Sequence, residues 1–189
     1  MRKIYFNLAV FLFVFNSCTT NDNIDWKAYD IITNIDELLE FYPDLNLDRS
    51  GNYERAYTSN FFDGTKELVY EYELLESETY DPLYYSITIE TTSSTSQGKE
   101  SFNITKSAFL VGNKWSDMKL QEKDIDLEGD QNFYALRTYD NMPNGIFYIT
   151  RRGTNVYSLI ISGLYSSDDS IITDLINPEI RTLESFKLK

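Results

Sequence analysis

The sequence predicts an α+β domain in which helices flank an antiparallel β-sheet. Three observations favour this class. Segments that read as strands outnumber segments with helical spacing, the helical segments lie near the ends and the middle of the chain, and short turns join several of the strands. The chain of 189 residues is long enough for one domain with a sizeable core.

The chain begins with a segment that has the form of a removable secretory signal. Arg2 and Lys3 supply positive charge, and residues 4–15 are apolar except for Asn7. About 12 apolar residues are too few to cross a bilayer comfortably, whereas they suit the apolar part of a signal. We therefore expect residues 1–17 to be a signal peptide.

Cys18, the sole cysteine of the chain, stands directly after this segment. The motif Phe15-Asn16-Ser17-Cys18 resembles the lipobox of bacterial lipoproteins. This resemblance implies that Cys18 is acylated, and that the protein is lipid-anchored in the cell envelope of a Gram-negative bacterium, with the outer membrane as the expected location. More than one acyl chain gives stable anchoring. The alternative is an ordinary secretory signal followed by a cysteine by chance.

Residues 18–30 are expected to be a polar tether to a single domain over 31–189. A helix is expected over 36–42, because Asn34-Ile35-Asp36-Glu37 has the form of a capping box and Pro43 ends the helical run. Residues 44–52 are rich in turn formers.

Three strands are expected next, over 53–61, 68–75 and 83–92. Asp63-Gly64 is typical of a tight hairpin turn between the first two. In the second strand, apolar residues alternate with an acidic outer face. Residues 76–82 and the Ser/Thr-rich residues 91–98 are expected to be loops.

A helix is expected over 99–111, where Phe102, Ala108 and Phe109 share one helical stripe, although the β-branched Ile104 and Thr105 favour a strand. Residues 115–127, beginning with Trp115, are expected to be irregular or a strand.

A β-meander is expected over 133–139, 146–152 and 155–163, with a first turn over 140–145 whose clearest mark is Asn144-Gly145. Ser166 or Ser167 is expected to cap a final helix over 168–176, and Pro178 to interrupt it.

Residues 133–189 resemble the end of the PsbP-like superfamily, whose relatives include the Mog-type Ran-binding fold and bacterial lipoproteins of the DcrB kind. The resemblance is carried by the strands at 133–137, 145–149 and 156–163 and by the terminal segment 175–186. It implies a sandwich in which the last helix packs on the sheet, and it implies no catalytic residue.

Charge and composition exclude several function classes. A net charge of −13 disfavours binding to nucleic acid, because an acidic surface repels phosphate. The chain has no histidine, which excludes His-based triads and His metal ligands. No cofactor is expected.

The segment Asp124-Ile125-Asp126-Leu127-Glu128-Gly129-Asp130 resembles the first half of a calcium-binding loop, with oxygens at alternate positions and glycine at the sixth. Its twelfth position would be Ala135, so the bidentate acid is missing. We therefore expect a chance acidic turn, with Asp124, Asp126, Glu128 and Asp130 as a weak calcium candidate.

The outer face of the second strand carries Glu67, Glu71 and Glu73, and Glu76 and Glu78 follow. Glu71 and Glu73 would lie about 7 Å apart, a separation that a glycosidase could use. Nothing in the sequence indicates a raised pKa for either of these two, so a solvated strand face is favoured.

Aromatic and basic side chains suggest a surface for a protein partner. Tyrosine supplies large contact area at low entropic cost, although it also fills strand positions by propensity. The adjacent pair Arg151-Arg152 could meet an anionic ligand or flank a hairpin turn. The candidate partner surface comprises Tyr70, Tyr72, Tyr84, Tyr85, Arg151 and Arg152.

The sequence thus predicts a non-catalytic, lipid-anchored cell-envelope protein that binds another envelope protein. Two alternatives stay open. One is an immunity lipoprotein that blocks a toxin, since an acidic surface suits a basic partner. The other is a glycan hydrolase that depends on carboxylates alone.

Overall fold

The computed structural model describes residues 17–22, 24–43, 51–74, 83–112, 118–166 and 168–188. Its strands are β1 (Ser17–Asp22), β2 (Tyr53–Phe61), β3 (Lys66–Leu74), β4 (Leu83–Thr91), β5 (Met118–Glu122), β6 (Gln131–Tyr139), β7 (Met142–Arg152) and β8 (Asn155–Ser162). Its helices are α1 (Ile35–Glu40), α2 (Thr95–Gly112) and α3 (Asp169–Leu183), and Trp26–Ala28 forms one 3-10 turn. The predicted α+β class with an antiparallel sheet and flanking helices is confirmed.

All the described strands belong to one antiparallel sheet with the order β1-β2-β3-β4-β8-β7-β6-β5. Two meanders, β1 to β4 and β5 to β8, meet where β4 pairs with β8. Helix α2 carries the chain from β4 in the middle of the sheet to β5 at its far edge. Among the described residues, no helix is long and apolar enough to cross a membrane.

One face of the sheet, the core face, carries the larger hydrophobic core. Residues 24–42 and helix α3 pack on it, and β3 turns its even-numbered residues inward as the alternation predicts. The largest buried side chains of this core are tyrosines, including Tyr70, Tyr72, Tyr85 and Tyr148. A fully buried aromatic side chain contributes about 1.5–3 kcal/mol, so this face supplies much of the fold's stability.

The opposite face, the second face, is divided. Helix α2 packs over β7 and β8, where Phe109 stacks on Phe147 with ring centroids 3.5 Å apart. Phe102 completes a second apolar cluster there with Phe133 and Val156. On the β2-β3-β4 half of this face, polar and aromatic side chains take the place of that cluster. We call it the acidic half-sheet; it comprises Tyr53, Arg55, Tyr57, Glu67, Glu71, Glu73, Tyr84 and Glu90.

The ends of the first two helices follow from their capping residues. Asn34 accepts hydrogen bonds from the backbone of Asp36 and Glu37, and the predicted capping box is confirmed, with α1 ending at Glu40. Helix α2 begins at Thr95, earlier than predicted, because Ser94 accepts a hydrogen bond from the Gln97 backbone. The end of the predicted 91–98 loop is therefore helical.

The prediction that Pro178 interrupts the last helix is wrong. Helix α3 runs without a break from Asp169 to Leu183, and Asp168 is its N-cap in place of the predicted serines. A proline inside a helix costs about 3 kcal/mol. Burial of one apolar stripe offsets that cost, since Ile172, Leu175, Ile176, Ile180 and Leu183 are all buried.

The turn between β6 and β7 is shorter than the predicted turn over 140–145. It is formed by Asp140 and Asn141, which have positive φ angles of 48° and 65°. Gly145 lies within β7, where a Cβ would stand 2.0 Å from the backbone oxygen of Ile161. The Asn-Gly pair is therefore a close-approach site between strands and not the turn.

The tether predicted over 18–30 is largely part of the domain. Strand β1 pairs with β2, Ile24 donates a backbone hydrogen bond to Ala56, and Trp26 packs on Tyr70 with ring centroids 5.5 Å apart. The free edge of β2 offers backbone partners that the polar composition of this segment does not reveal. Most of the predicted turn region 44–52, all of the predicted loop 76–82 and Trp115 lie outside the described residues.

Candidate functional site

Three of the four tyrosines proposed for a partner surface belong to the core. Tyr70, Tyr72 and Tyr85 are fully buried. The Tyr70 hydroxyl donates to Glu54 and accepts from the Ile35 backbone, and the Tyr85 hydroxyl donates to the backbone oxygen of Thr33. These hydroxyls hold the 24–43 segment on the core face, so they are not available to a partner in this structure.

The basic pair is also structural. Arg151 is 4% exposed, forms an ion pair with Asp130 at 2.9 Å and donates to the backbone oxygen of Gly153. Arg152 donates to the backbone oxygen of Ile180. The pair therefore flanks the β7–β8 turn and fastens it to neighbouring segments, and it does not form an anion site.

The acidic loop before β6 supplies carboxylates to arginines. Glu128 accepts from Arg181 at 3.1 Å, and Asp130 accepts from the Gly153 backbone as well as pairing with Arg151. Asp124 and Asp126 are exposed. In the part of the chain that the structure describes, no group of three or more acidic or cysteine side chains is placed to hold a metal ion.

The acidic half-sheet is organised across three strands. Glu71 on β3 accepts from Nε of Arg55 on β2 at 2.6 Å and from the Tyr84 hydroxyl on β4 at 3.2 Å. The Arg55 guanidinium lies 5.4 Å from the ring centroid of Tyr53 and 4.8 Å from that of Tyr57. Part of the strand face that was expected to be solvated is therefore a network of hydrogen bonds. Tyr84 is the one predicted partner-surface tyrosine that belongs to this network.

A cleft of about 330 Å³ lies where α2 meets this half of the sheet. Glu67 and Glu90, which are direct cross-strand neighbours, share its sheet wall. Ser101 and Thr105 of α2 donate to Glu90 from the opposite wall. Phe61 and Ile104 add apolar surface, so the cleft combines two carboxyl groups with hydroxyl and apolar groups.

Glu67 is the acid of this strand face that the sequence pattern did not single out. Burial, with a further contribution from the charges of Glu90 and Glu71, raises the pKa of Glu67 from 4.5 to about 7. Burial also raises the pKa of Glu90, against the hydrogen bonds from Ser101 and Thr105. The sequence alone could not place Glu90 beside Glu67, although both strands and the acidic outer face of the first of them were predicted.

This arrangement favours recognition of positive charge. Its described acidic groups are Glu67, Glu71, Glu73 and Glu90, while Arg55 is already engaged by Glu71. Tyr53 is 51% exposed and stands at the end of the surface opposite the cleft. An acidic field flanked by aromatic rings suits a basic polypeptide segment, because lysine and arginine interact with both carboxylates and ring faces.

Comparisons with known proteins do not identify a family for this chain. No protein-family model matches the chain, and no curated protein or solved structure is similar enough to it to count as a relative. The PsbP-like resemblance stays a prediction.

Proposed function

We propose that this protein is a non-catalytic, lipid-anchored cell-envelope protein whose acidic half-sheet binds a basic segment of another envelope protein. The anchoring part of the proposal depends on Cys18 and the lipobox-like motif before it. The binding part depends on one observation above all, the cross-strand network of Arg55, Glu71 and Tyr84, which presents acidic and aromatic groups together.

Charge supports a basic partner. The chain carries a net charge of −13, and opposite charge on a partner accelerates encounter and fixes orientation. Because Glu71 is held by hydrogen bonds from two neighbouring strands, its carboxylate is already ordered before a partner arrives. Such preorganisation lowers the entropic cost of binding.

The binding proposal is tested by capture from detergent-solubilised envelope of the source bacterium, followed by titration calorimetry with the purified partner. We expect the captured protein to be basic and its affinity to fall at least tenfold in Glu71→Gln/Glu73→Gln. The control is Asp124→Asn/Asp126→Asn, which removes the same charge from exposed acids beside β5 and should change affinity less than twofold.

Capture of no specific protein, or an equal loss in both variants, would contradict the binding proposal. Salt at about 0.5 M should weaken the complex, because the Debye length there is only a few ångströms. A partner that is a toxin, inhibited by this protein, would identify the binding as immunity.

The anchor is tested separately by metabolic labelling with palmitate and by membrane fractionation. We expect the parent chain to be labelled and to sediment with membranes, and Cys18→Ala to be unlabelled and released. Identical fractionation of the two forms would overturn the anchoring proposal.

One observation favours a second candidate, a carboxylate-dependent glycan hydrolase. Glu67 has a pKa of about 7 and lies beside Glu90 in a cleft, as a general acid requires. Both carboxyls, however, share one wall of the cleft, whereas a glycosidase places its acids on either side of the bond it breaks. A screen of envelope glycans with the parent and Glu67→Gln decides it: hydrolysis by the parent alone would establish the enzyme.

A further inference from the structure

We infer that the tip of the β2–β3 hairpin rests on the membrane to which the chain is anchored, with Phe62 among the lipid headgroups. This inference depends on the proposed anchor at Cys18. It specifies which part of the domain faces the lipid, and therefore how the acidic half-sheet is oriented relative to the membrane.

The first step is the position of Cys18 in the sheet. Thr19 pairs with Asn60 near the end of β2, and Cys18 precedes Thr19 directly, so it would be the first residue of the anchored chain. The backbone of Cys18 therefore lies beside the end of β2, about 5 Å from it, since that is the spacing of neighbouring strands. An acyl chain on Cys18 starts at the edge of the folded sheet, without an intervening tether.

The second step is the hairpin tip itself. The Phe61 backbone donates to Thr65 at 2.9 Å, the Gly64 backbone donates to Phe61, and the Asp63 carboxylate accepts from the Thr65 backbone. The tip is thus a closed turn that holds Phe62 outward, where its side chain is 73% exposed. Phenylalanine, like tryptophan and leucine, is common on protein surfaces that lie in the interface between lipid and water.

The third step is the charge around this tip. The tip carries Asp63 and Lys66, and the cleft that it borders adds Glu67, Glu90 and Glu100. The acidic loop over 124–130 lies at the same end of the strands but before β6, five strand spacings or about 24 Å from β2. Lateral distance across the sheet therefore separates that loop from the headgroups directly below the anchor.

The position of Phe62 is tested with phospholipids brominated on their acyl chains, which quench tryptophan on contact. The variants are Phe62→Trp and Met142→Trp, each compared with the parent to subtract its own tryptophans. Phe62 and Met142 are matched in exposure, at 73% and 70%, but lie at opposite ends of the strands. Chains isolated from membranes are reconstituted into brominated and unbrominated phosphatidylcholine vesicles.

We expect the emission added by Phe62→Trp to be quenched at least twofold more than that added by Met142→Trp. Equal quenching of the two would overturn the inference. Mass spectrometry of the N-terminal peptide reports acylation independently. If mass spectrometry finds a free thiol on Cys18, the anchoring proposal fails. The chain is then coupled through Cys18 to a maleimide phospholipid, so that the orientation of the domain on the membrane is still measured.

Discussion

The two halves of the second face show how one sheet can be built for two purposes. Under α2, the outward positions of β6, β7 and β8 carry Phe133, Phe147 and Val156, which are buried. Across the β4–β8 pairing, the equivalent positions of β2 and β3 carry Arg55, Glu67 and Glu71. The side chains that point away from the core face therefore determine where a helix can pack and where a charged partner can bind.

The largest contrast should come from removing one aromatic side chain on each half. Phe147→Ala empties a buried site stacked against Phe109, so we expect a loss of about 3–5 kcal/mol in the free energy of unfolding. Tyr84→Ala, on the acidic half-sheet, should cost less than half as much, because Tyr84 is only partly buried. Urea denaturation measures both, and similar losses would contradict the division of the face.

A smaller effect should appear in the dependence of stability on pH. The folded state raises the pKa of Glu67 to about 7, whereas its ordinary value is 4.5. The folded state therefore binds this proton more tightly than the unfolded state does. The stability that this proton contributes is fully present below pH 4.5 and is lost as the pH rises to about 7. Glu179, with a pKa also raised to about 7 by burial, acts in the same window.

Glu67→Gln should remove its share of that dependence and stabilise the protein by about 1–3 kcal/mol at pH 8, where the parent has a buried charge. Glu73→Gln, an exposed acid on the same strand face, is the matched control and should leave the profile unchanged. Unfolding curves between pH 4 and pH 8 check this, and parallel profiles for Glu67→Gln and the parent would show that Glu67 titrates normally.

The smallest effect on stability should come from Arg55. Its side chain is 42% exposed, and exposed ion pairs contribute about 0–1 kcal/mol. Arg55→Ala should therefore change the free energy of unfolding by less than about 1 kcal/mol, although it releases Glu71 from its fixed position. A larger loss in urea denaturation would show that the acidic half-sheet is held together for stability and not for recognition.

Much of the fold could be predicted from local sequence patterns. The alternation in β3, the capping box at Asn34 and the turn at Asp63-Gly64 each depend on neighbouring residues alone, and each is found as expected. The same alternation places Tyr70 and Tyr72 on the buried side, which argues against the partner surface that was predicted from their number.

The features that were missed depend on contacts distant in sequence. Strand β1 has no apolar alternation and forms because β2 offers a free edge. Helix α3 continues through Pro178 because its apolar stripe is buried on the sheet. The pKa of Glu67 is raised first by its burial and then by the charge of Glu90 on the adjacent strand, neither of which a single strand reveals.

The pairing of β4 with β8 has a consequence for how the chain folds. Ile87 lies opposite Leu159, about 70 residues later, whereas the pairings within β2 to β4 and within β5 to β8 need only short connections. Two local sheets can form quickly, but they can pair with each other only once the last strand, β8, is in place. That pairing costs the entropy of closing a long loop. Until then β4 is an unprotected edge rich in Ile, Tyr and Thr, and the half-made chain is most prone to aggregate at that stage.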